Sequence, residues 1–144
     1  GIFIDNAMVL VEDNIPAPSA VELELAFDKA YEHLLSLGIV STHDAGVSQT
    51  DLDSYMMRVN RGKLPVRIYG MLSATSDRLY AWLKAGRISD AKDFLSVRSV
   101  KLYSDGALGS RGAALLESYS DDAGNHGLLL TDPPVLDKLV ENII

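Results

Sequence analysis

The spacing of its strand-like segments is the feature that most constrains this chain. Three segments rich in β-branched residues begin near residues 39, 66 and 97, and a stretch with helical features follows each of the first two. An interval of roughly 30 residues accommodates one strand and one helix. Alternation of this kind implies parallel strands that are joined by right-handed crossovers. We therefore predict an α/β fold with about three parallel βα units.

The segments between turn residues give the bounds of these units. Strands are predicted at 39–45, 66–72 and 97–103, and helices between them at about 50–61 and 77–84. Thr50 or Asp51 is expected to open the first of these helices, and Ser76 is expected to cap the second. A polar connection leads from the second helix to the third strand.

A longer helix is predicted from Ala20 to Leu37. Ser19 and Glu22 form an S-x-x-E capping box, in which each side chain satisfies an otherwise unpaired amide. Apolar residues recur every three or four positions and form one stripe, comprising Leu23, Phe27, Ala30, Leu34 and Leu37. Three acidic residues lie elsewhere around the axis and are expected to face water, namely Glu24, Asp28 and Glu32. Gly38 is the expected C-cap.

The two ends of the chain carry less regular patterns. Residues 1–18 show no convincing period and are predicted to be an irregular lead-in. Residues 104–128 form a long loop with five glycines, and long ordered loops are usually functional. A last helix is expected near Pro134.

Composition excludes several classes of protein. The 144 residues amount to one domain at most, and 47% of them are hydrophobic. The net charge of −7 argues against nucleic-acid binding, which needs a basic footprint. No apolar run is long enough to span a membrane, and no signal peptide is evident, so a cytoplasmic protein is expected. Without cysteine, disulfides, thiolate metal sites and a cysteine nucleophile are excluded.

Three parallel strands are too few to close a barrel, which needs roughly 200 residues or more. Two architectures remain open: a small open sheet, or part of a (β/α)₈ TIM barrel that is incomplete in this chain. In both, chemistry is expected beyond the carboxyl ends of the strands.

Lys101 is the candidate residue that most needs an explanation. It interrupts an apolar strand, and alternation places Ser99, Lys101 and Tyr103 opposite Val100 and Leu102. A buried lysine is costly unless it is paired or chemically altered so that it is no longer cationic. The alternative is an ordinary structural lysine, whose side chain reaches out to water or pairs with a neighbouring acid such as Asp105.

Further polar clusters fall near strand ends: His43 with Asp44, Arg67 with Tyr69, and the stretch that runs from Lys101 to Arg111. His43 could be a metal ligand or general base. Adjacent strand residues point to opposite faces, so His43 and Asp44 cannot both reach one site within a strand. The stretch 105–112 carries glycines and an arginine but lacks the spacing of a phosphate-binding loop. Its glycines are better explained by tight turns and close backbone approach to a ligand.

Two stretches together resemble the family 3 amidohydrolases. Residues 38–46 read GIVSTHDAG, similar to that family's G-[IV]-T-S-V-H-D-A-G, and residues 100–111 read VKLYSDGALGSR, similar to its V-K-L-F-A-D-G-A-L-G-S-R. Ala113, Ala114, Leu115 and Tyr119 also match. The resemblance covers about residues 19–140.

The resemblance implies a metal-dependent hydrolase on a (β/α)₈ barrel that acts on C–N bonds of amides or formamides. It implies a divalent metal, zinc in the first instance, with Lys101 as a ligand, either carboxylated or not. Carboxylation would turn the buried cation into an oxygen ligand suited to zinc. Residues expected to contact substrate or to support the metal ligands are His43, Asp44, Asp105, Gly106, Ser110 and Arg111.

The departures from the family are as informative as the matches. The His-x-His pair, the later histidines and the catalytic aspartate of the superfamily are absent from these residues. The chain is therefore expected to be an internal fragment of a hydrolase, inactive alone, that self-associates to cover open sheet edges. The alternative is a self-standing, non-catalytic α/β module that binds a ligand or partner through the 104–128 loop.

Overall fold

The computed structural model describes residues 1–3 and 5–144. The chain divides into two compact units, which are described separately: residues 18–102, and residues 1–17 together with 103–144. In the part of the chain that the structure describes, no helix is long and apolar enough to cross a membrane.

A four-stranded sheet is the centre of the first unit. Its strands are β1 (Ser41–Val47), β2 (Arg67–Ser73), β3 (Ile88–Ser89) and β4 (Leu95–Lys101), in the spatial order β1-β2-β4-β3. β1, β2 and β4 are parallel, as the βα rhythm predicts. β3 is antiparallel to β4 and pairs with its first half.

The predicted strand bounds are wrong by one or two residues. β1 and β2 lie later in the chain than predicted, whereas β4 begins at Leu95 and ends at Lys101. β3 lies in the segment that was predicted to be a polar connection. Two residues are too short for an alternation pattern to reveal, which explains why sequence reasoning missed this strand.

Three helices cover one side of this sheet. They are α2 (Ala20–Ser36), α3 (Gln49–Asn60) and α4 (Leu79–Ala85). The Ser19–Glu22 capping box of α2 is present in full, and a second box, Ser48–Asp51, opens α3. The predicted start at Thr50 or Asp51 is therefore late. Ser76 accepts from the amide of Arg78 in a turn before α4 rather than capping it.

The core lies between these helices and the sheet. Strand residues Val47, Ile68, Leu72, Leu95 and Val97 pack there against Tyr31, Leu52, Tyr55 and Trp82 from the helices. Gly70 belongs to the same face, and a Cβ there would lie 3.2 Å from methyl carbons of both Val47 and Val97. A side chain at this position would therefore compress the centre of the core.

A polar cluster joins α2 to α3 beside this core. Arg58 is buried and donates to Glu24 at 2.6 Å and to Asp28 at 2.7 Å. Its guanidinium carbon also lies 5.4 Å from the ring centroid of Tyr31. Glu24 and Asp28 remain partly exposed to water, as expected, and in addition they bind a cation on the neighbouring helix, which the sequence pattern did not predict.

The strands β1 and β4 each contain one irregularity in their pairing with β2. The register shifts between Ala45 and Val47 in β1, and between Val97 and Ser99 in β4. In β4 the extra residue is Arg98. Because of this bulge, Ser99 pairs with Met71 and Lys101 with Ser73, on the side away from the helices.

The second unit contains short helices and an extended loop. Residues 5–8 form a 3₁₀ turn that continues into α1 (Val9–Glu12), so the prediction that 1–18 is wholly irregular is wrong. Near the other end, α5 runs over Pro133–Ile143, one residue earlier than expected. In between, a 3₁₀ turn covers Leu108–Ser110, and single bridges pair Asp105 with Leu129 and Tyr119 with Asp122.

Candidate functional site

Within the first unit, one face of the parallel sheet lies away from α2, α3 and α4 and is mostly polar. Its outward residues are Ser41, His43 and Ala45 on β1, then Arg67, Tyr69, Met71 and Ser73 on β2, and Ser96, Arg98, Ser99 and Lys101 on β4. We call this set the open face. None of these side chains belongs to the buried hydrophobic core. The open face is therefore the polar side of this sheet, opposite the hydrophobic core.

Lys101 lies at the carboxyl end of β4, on the open face. It pairs in register with Ser73, and its carbonyl accepts from the amide of Ala74 at 3.0 Å. The side chain is half-buried. The structure thus places Lys101 on the side and at the end of the sheet where the sequence predicts chemistry.

Nearer the middle of the sheet, His43, Tyr69 and Arg98 form a second group on the open face. The ring centroids of His43 and Tyr69 are 5.0 Å apart. The guanidinium carbon of Arg98 lies 5.5 Å from the Tyr69 ring centroid, within the range of a cation–π contact. Tyr69 therefore connects β1 to β4 across the open face.

The surroundings of Tyr69 favour its ionised form. The nearby Ser99 hydroxyl and the Arg98 guanidinium lower the pKa of the Tyr69 phenol from its ordinary value. Ser99 Oγ is buried and, within the described residues, meets no partner in the geometry of a full hydrogen bond. The Tyr69 phenol, the Ser99 hydroxyl and the Arg98 guanidinium thus form one polar cluster on the open face.

Asp44 is separated from this cluster by the sheet itself. β1 continues to Val47, so His43 and Asp44 are mid-strand neighbours on opposite faces. Asp44 points toward α3 and accepts from the Tyr55 hydroxyl at 2.6 Å. Burial and this hydrogen bond raise the pKa of Tyr55 above its ordinary value. The structure does not bring Asp44 together with the other predicted site residues of its unit.

The other predicted site residues lie in the second unit, where Asp105 organises the loop. Its carboxylate accepts from the Ser104 hydroxyl at 2.6 Å and from the Ala114 amide at 3.0 Å. These two hydrogen bonds hold the pKa of Asp105 below its ordinary value. Gly106 donates its amide to the Leu128 carbonyl at 3.3 Å. Both residues thus fix the path of the loop.

Arg111 is held by an ion pair inside the same loop. Its guanidinium donates to both carboxylate oxygens of Asp121, at 3.2 and 2.8 Å. Its backbone is left-handed, with φ of 58°, which is uncommon for a residue other than glycine. Ser110 donates to the Ala107 carbonyl at 3.1 Å. The fork of Arg111 is therefore already engaged by a carboxylate.

Gly127 explains how tightly the loop closes on itself. Its φ is +72°, and a Cβ at this position would lie 2.0 Å from the carbonyl oxygen of Ala113. The Leu128 amide donates to the Gly112 carbonyl at 3.0 Å. At Gly127 the close backbone approach therefore packs the loop against itself.

The placement of the donor side chains decides whether a metal ion fits in this chain. Among residues 1–3 and 5–144, no group of three or more His, Asp or Glu side chains is placed to hold a metal ion. Catalytic zinc sites use about three protein ligands and a water. The described residues therefore do not form a complete metal centre, and Lys101 is the candidate ligand that the family resemblance indicates.

The sequence groups Tyr69 with Arg67, whereas the structure places Tyr69 beside His43 and Arg98 and places Arg67 over the ring of Phe94. Arg98 is the functional candidate that sequence reasoning passed over. Arg98 falls in the bulge, and alternation alone gives no sign that a bulge turns it toward Tyr69.

Solved structures of other proteins share the fold of this chain. No protein-family model matches the chain. Two solved structures match it over 96% of its length, and both are described as uncharacterized metal-dependent hydrolases. The one from Pyrococcus furiosus has a TM-score of 0.80 and 26% identity, and the one from Pyrococcus horikoshii has 0.81 and 25%. The chain covers 30% and 29% of those two structures.

Two curated relatives match nearly the whole chain. "Protein LONG AFTER FAR-RED 3" of Arabidopsis thaliana is 30% identical over 94% of this chain. "Putative amidohydrolase YtcJ" of Bacillus subtilis is 25% identical over 97% of this chain. The chain spans about a quarter of the length of each relative, 25% and 27% respectively. Its structural neighbours are thus metal-dependent hydrolases, and one relative carries an amidohydrolase name.

Proposed function

We propose that this chain is part of a metal-dependent amidohydrolase that cleaves C–N bonds of amides or formamides. The observation that carries the proposal is the open face: parallel strands with polar outward residues and Lys101 at their carboxyl end. A parallel sheet is ordinarily covered on both faces. Further strands of a (β/α)₈ barrel would enclose this face and turn it into the wall of a barrel interior.

The described residues lack a complete set of metal ligands, so we propose that this chain supplies only part of the metal site. A bound divalent ion, zinc by the family resemblance, supplies an activated water and polarises a carbonyl. This chain contributes Lys101 as one candidate ligand, whether carboxylated or not. The other ligands would come from the longer protein to which we assign this chain, so the 144 residues are expected to be inactive alone.

Roles for the remaining predicted residues are proposed from their contacts. His43 is exposed on the open face and is available to a substrate. Asp105, Gly106, Ser110 and Arg111 make contacts within their own loop, and we propose that they shape the loop rather than react. Asp44 supports β1 from the helix side through Tyr55.

A non-catalytic binding module is the second candidate function. It is favoured by the lack of a complete metal centre among the described residues. Its binding element would be the ordered 104–128 loop, which presents Leu108 and Leu116 to solvent. In that case neither hydrolysis nor metal content would depend on Lys101.

The test begins with the DNA that flanks this coding segment. We expect an open frame in both directions, with a His-x-His pair upstream and a His and Asp stretch downstream. The longer protein is then purified, its metal is measured by mass spectrometry, and it is assayed on N-acyl and N-formyl amines. In that protein Lys101→Ala should lower metal content and activity together.

The control is Lys84→Ala, a lysine exposed on α4. It should leave both quantities unchanged. Wild-type metal content and activity in Lys101→Ala would remove Lys101 from the metal site. Start and stop codons that bracket these 144 residues would favour the binding module.

A further inference from the structure

The open face carries charge of one sign. Along the described strands its charged residues are Arg67, Arg98 and Lys101, with His43 beside them, and no Asp or Glu lies on it. The chain as a whole is acidic, with 20 Asp and Glu against 13 Lys and Arg. A one-sign face on an oppositely charged chain concentrates ligands of the opposite charge.

Arg98 is the cation best placed to bind such a ligand. It is exposed, and among the described residues no carboxylate forms an ion pair with it. Arg67, in contrast, lies 4.7 Å from the ring centroid of Phe94 at the start of the strands. Arg98 lies against Tyr69, which orients the planar guanidinium and leaves most of its five N–H donors for a ligand.

We infer that Arg98, with Tyr69 and His43, binds a carboxylate carried by the substrate. This inference rests on the proposed function and deepens it by naming the substrate class: amides that also bear a carboxylate. Guanidinium groups bind carboxylates by two parallel hydrogen bonds, and the ring of His43, 5.0 Å from that of Tyr69, lies beside the same space.

The position of Arg98 along β4 adds a constraint on that substrate. It lies three positions before Lys101, a distance of about 10 Å in a strand. The carboxylate and the reacting carbonyl are therefore different groups on one molecule, several bonds apart.

The test is an NMR titration of the 144-residue chain with N-acetylglycine, with its neutral amide, and with inorganic phosphate. We expect N-acetylglycine to shift the ring resonances of His43 and Tyr69 and to bind more tightly than either other compound. Arg98→Gln should weaken this binding by about tenfold, equivalent to about 1.4 kcal/mol. Arg98→Lys should retain part of it.

Arg87→Gln is the matched control, since Arg87 is exposed in the turn before β3. It should bind N-acetylglycine as the wild type does. Equal binding of the acid and its neutral amide would overturn the inference, as would unchanged binding in Arg98→Gln. Tighter binding of phosphate would overturn the assignment to a substrate carboxylate.

Failure of this inference can be told apart from failure of the proposed function. If the longer protein hydrolyses neutral amides as well as carboxylate-bearing ones, the substrate class is wrong and the hydrolase stands. If N-acetylglycine binds through Arg98 but the longer protein has no hydrolase activity, the anion site stands and the proposed reaction is wrong.

Discussion

The hydroxyl of Tyr55 donates to a carboxylate oxygen of Asp44 at 2.6 Å, across the helix-covered side of β1. His43, the preceding residue, faces the other way. One strand thus anchors a helix with one residue and presents a possible ligand contact with the next. A stability measurement can separate these two roles.

Two buried tyrosines should respond differently to loss of the hydroxyl. Tyr55→Phe removes a hydrogen bond to a charged partner and should lower the free energy of unfolding by about 1.5–3 kcal/mol. Tyr31 is equally buried, but within the described residues its hydroxyl has no partner. Tyr31→Phe should therefore leave stability unchanged or raise it by up to about 1 kcal/mol.

Urea denaturation followed by circular dichroism measures both variants. A comparable loss of stability in Tyr31→Phe would show that its hydroxyl has a partner, such as an ordered water.

Alkaline pH should destabilise the chain through Tyr31. Burial raises the pKa of Tyr31 to about 12 from the ordinary value of 10.0. The raised pKa means that folding favours the neutral phenol. Its contribution is complete below pH 10, where the unfolded phenol is also neutral, and is lost as the pH rises toward 12.

The measurement is the unfolding free energy in urea between pH 9 and 12, for the wild type and Tyr31→Phe. Stability of the wild type should fall more steeply over this range, by at most about 2 kcal/mol relative to the variant. Parallel curves would show that Tyr31 titrates normally.

Arg58 should be the charged residue whose removal most destabilises the first unit. Its side chain is 9% exposed, while those of Glu24 and Asp28 are 37% and 56% exposed. Arg58→Met keeps much of the apolar packing but leaves two carboxylates without their cation. We expect a loss of about 2–3 kcal/mol, below that of a fully buried pair because both carboxylates reach water.

The matched control is Lys29→Met, which breaks the exposed pair with Glu32 on α2. Exposed pairs contribute little, so its urea midpoint should stay close to that of the wild type. If Arg58→Met behaved like this control, the interhelical cluster would have no net effect on stability.

Self-association should follow from the unpaired edge of β1. The order β1-β2-β4-β3 leaves one edge of β1 without a partner strand among the described residues. Such edges pair with other chains unless charged residues protect them. We expect the 144-residue chain to form dimers or larger species in light scattering at micromolar concentration.

A lysine on that edge should reduce the association. Ala45→Lys places the charge on the open face of β1, and Ala81→Lys places the same charge on exposed α4 as the control. A monomeric wild type, or equal association of both variants, would refute the role of the β1 edge.

Local sequence patterns predicted much of the fold. The Ser19–Glu22 box predicted the start of α2 to the residue, and strand spacing predicted three parallel strands. What sequence reasoning missed depends on contacts between distant segments. Arg58 meets Glu24 across 34 positions, and two-residue β3 exists because it pairs with β4.

The candidate site was likewise predictable only where a local pattern revealed a residue. Lys101 stood out because a charged residue interrupts an apolar strand. The association of Arg98 with Tyr69 depends on the register between β2 and β4, which no local pattern encodes. Likewise, the sequence predicts that Arg111 contacts a ligand. Its ion pair with Asp121 could not be predicted, because it forms only when the loop closes.

The bulge at Arg98 sets the phase of the strand that follows it. Leu95 and Val97 face the core, and simple alternation from them would turn Lys101 inward as well. The extra residue reverses that alternation, so Lys101 faces outward while Val100 packs against the core. Deletion of one residue here would exchange the two without changing any chemical group, so a length change at position 98 would alter function more than most substitutions would.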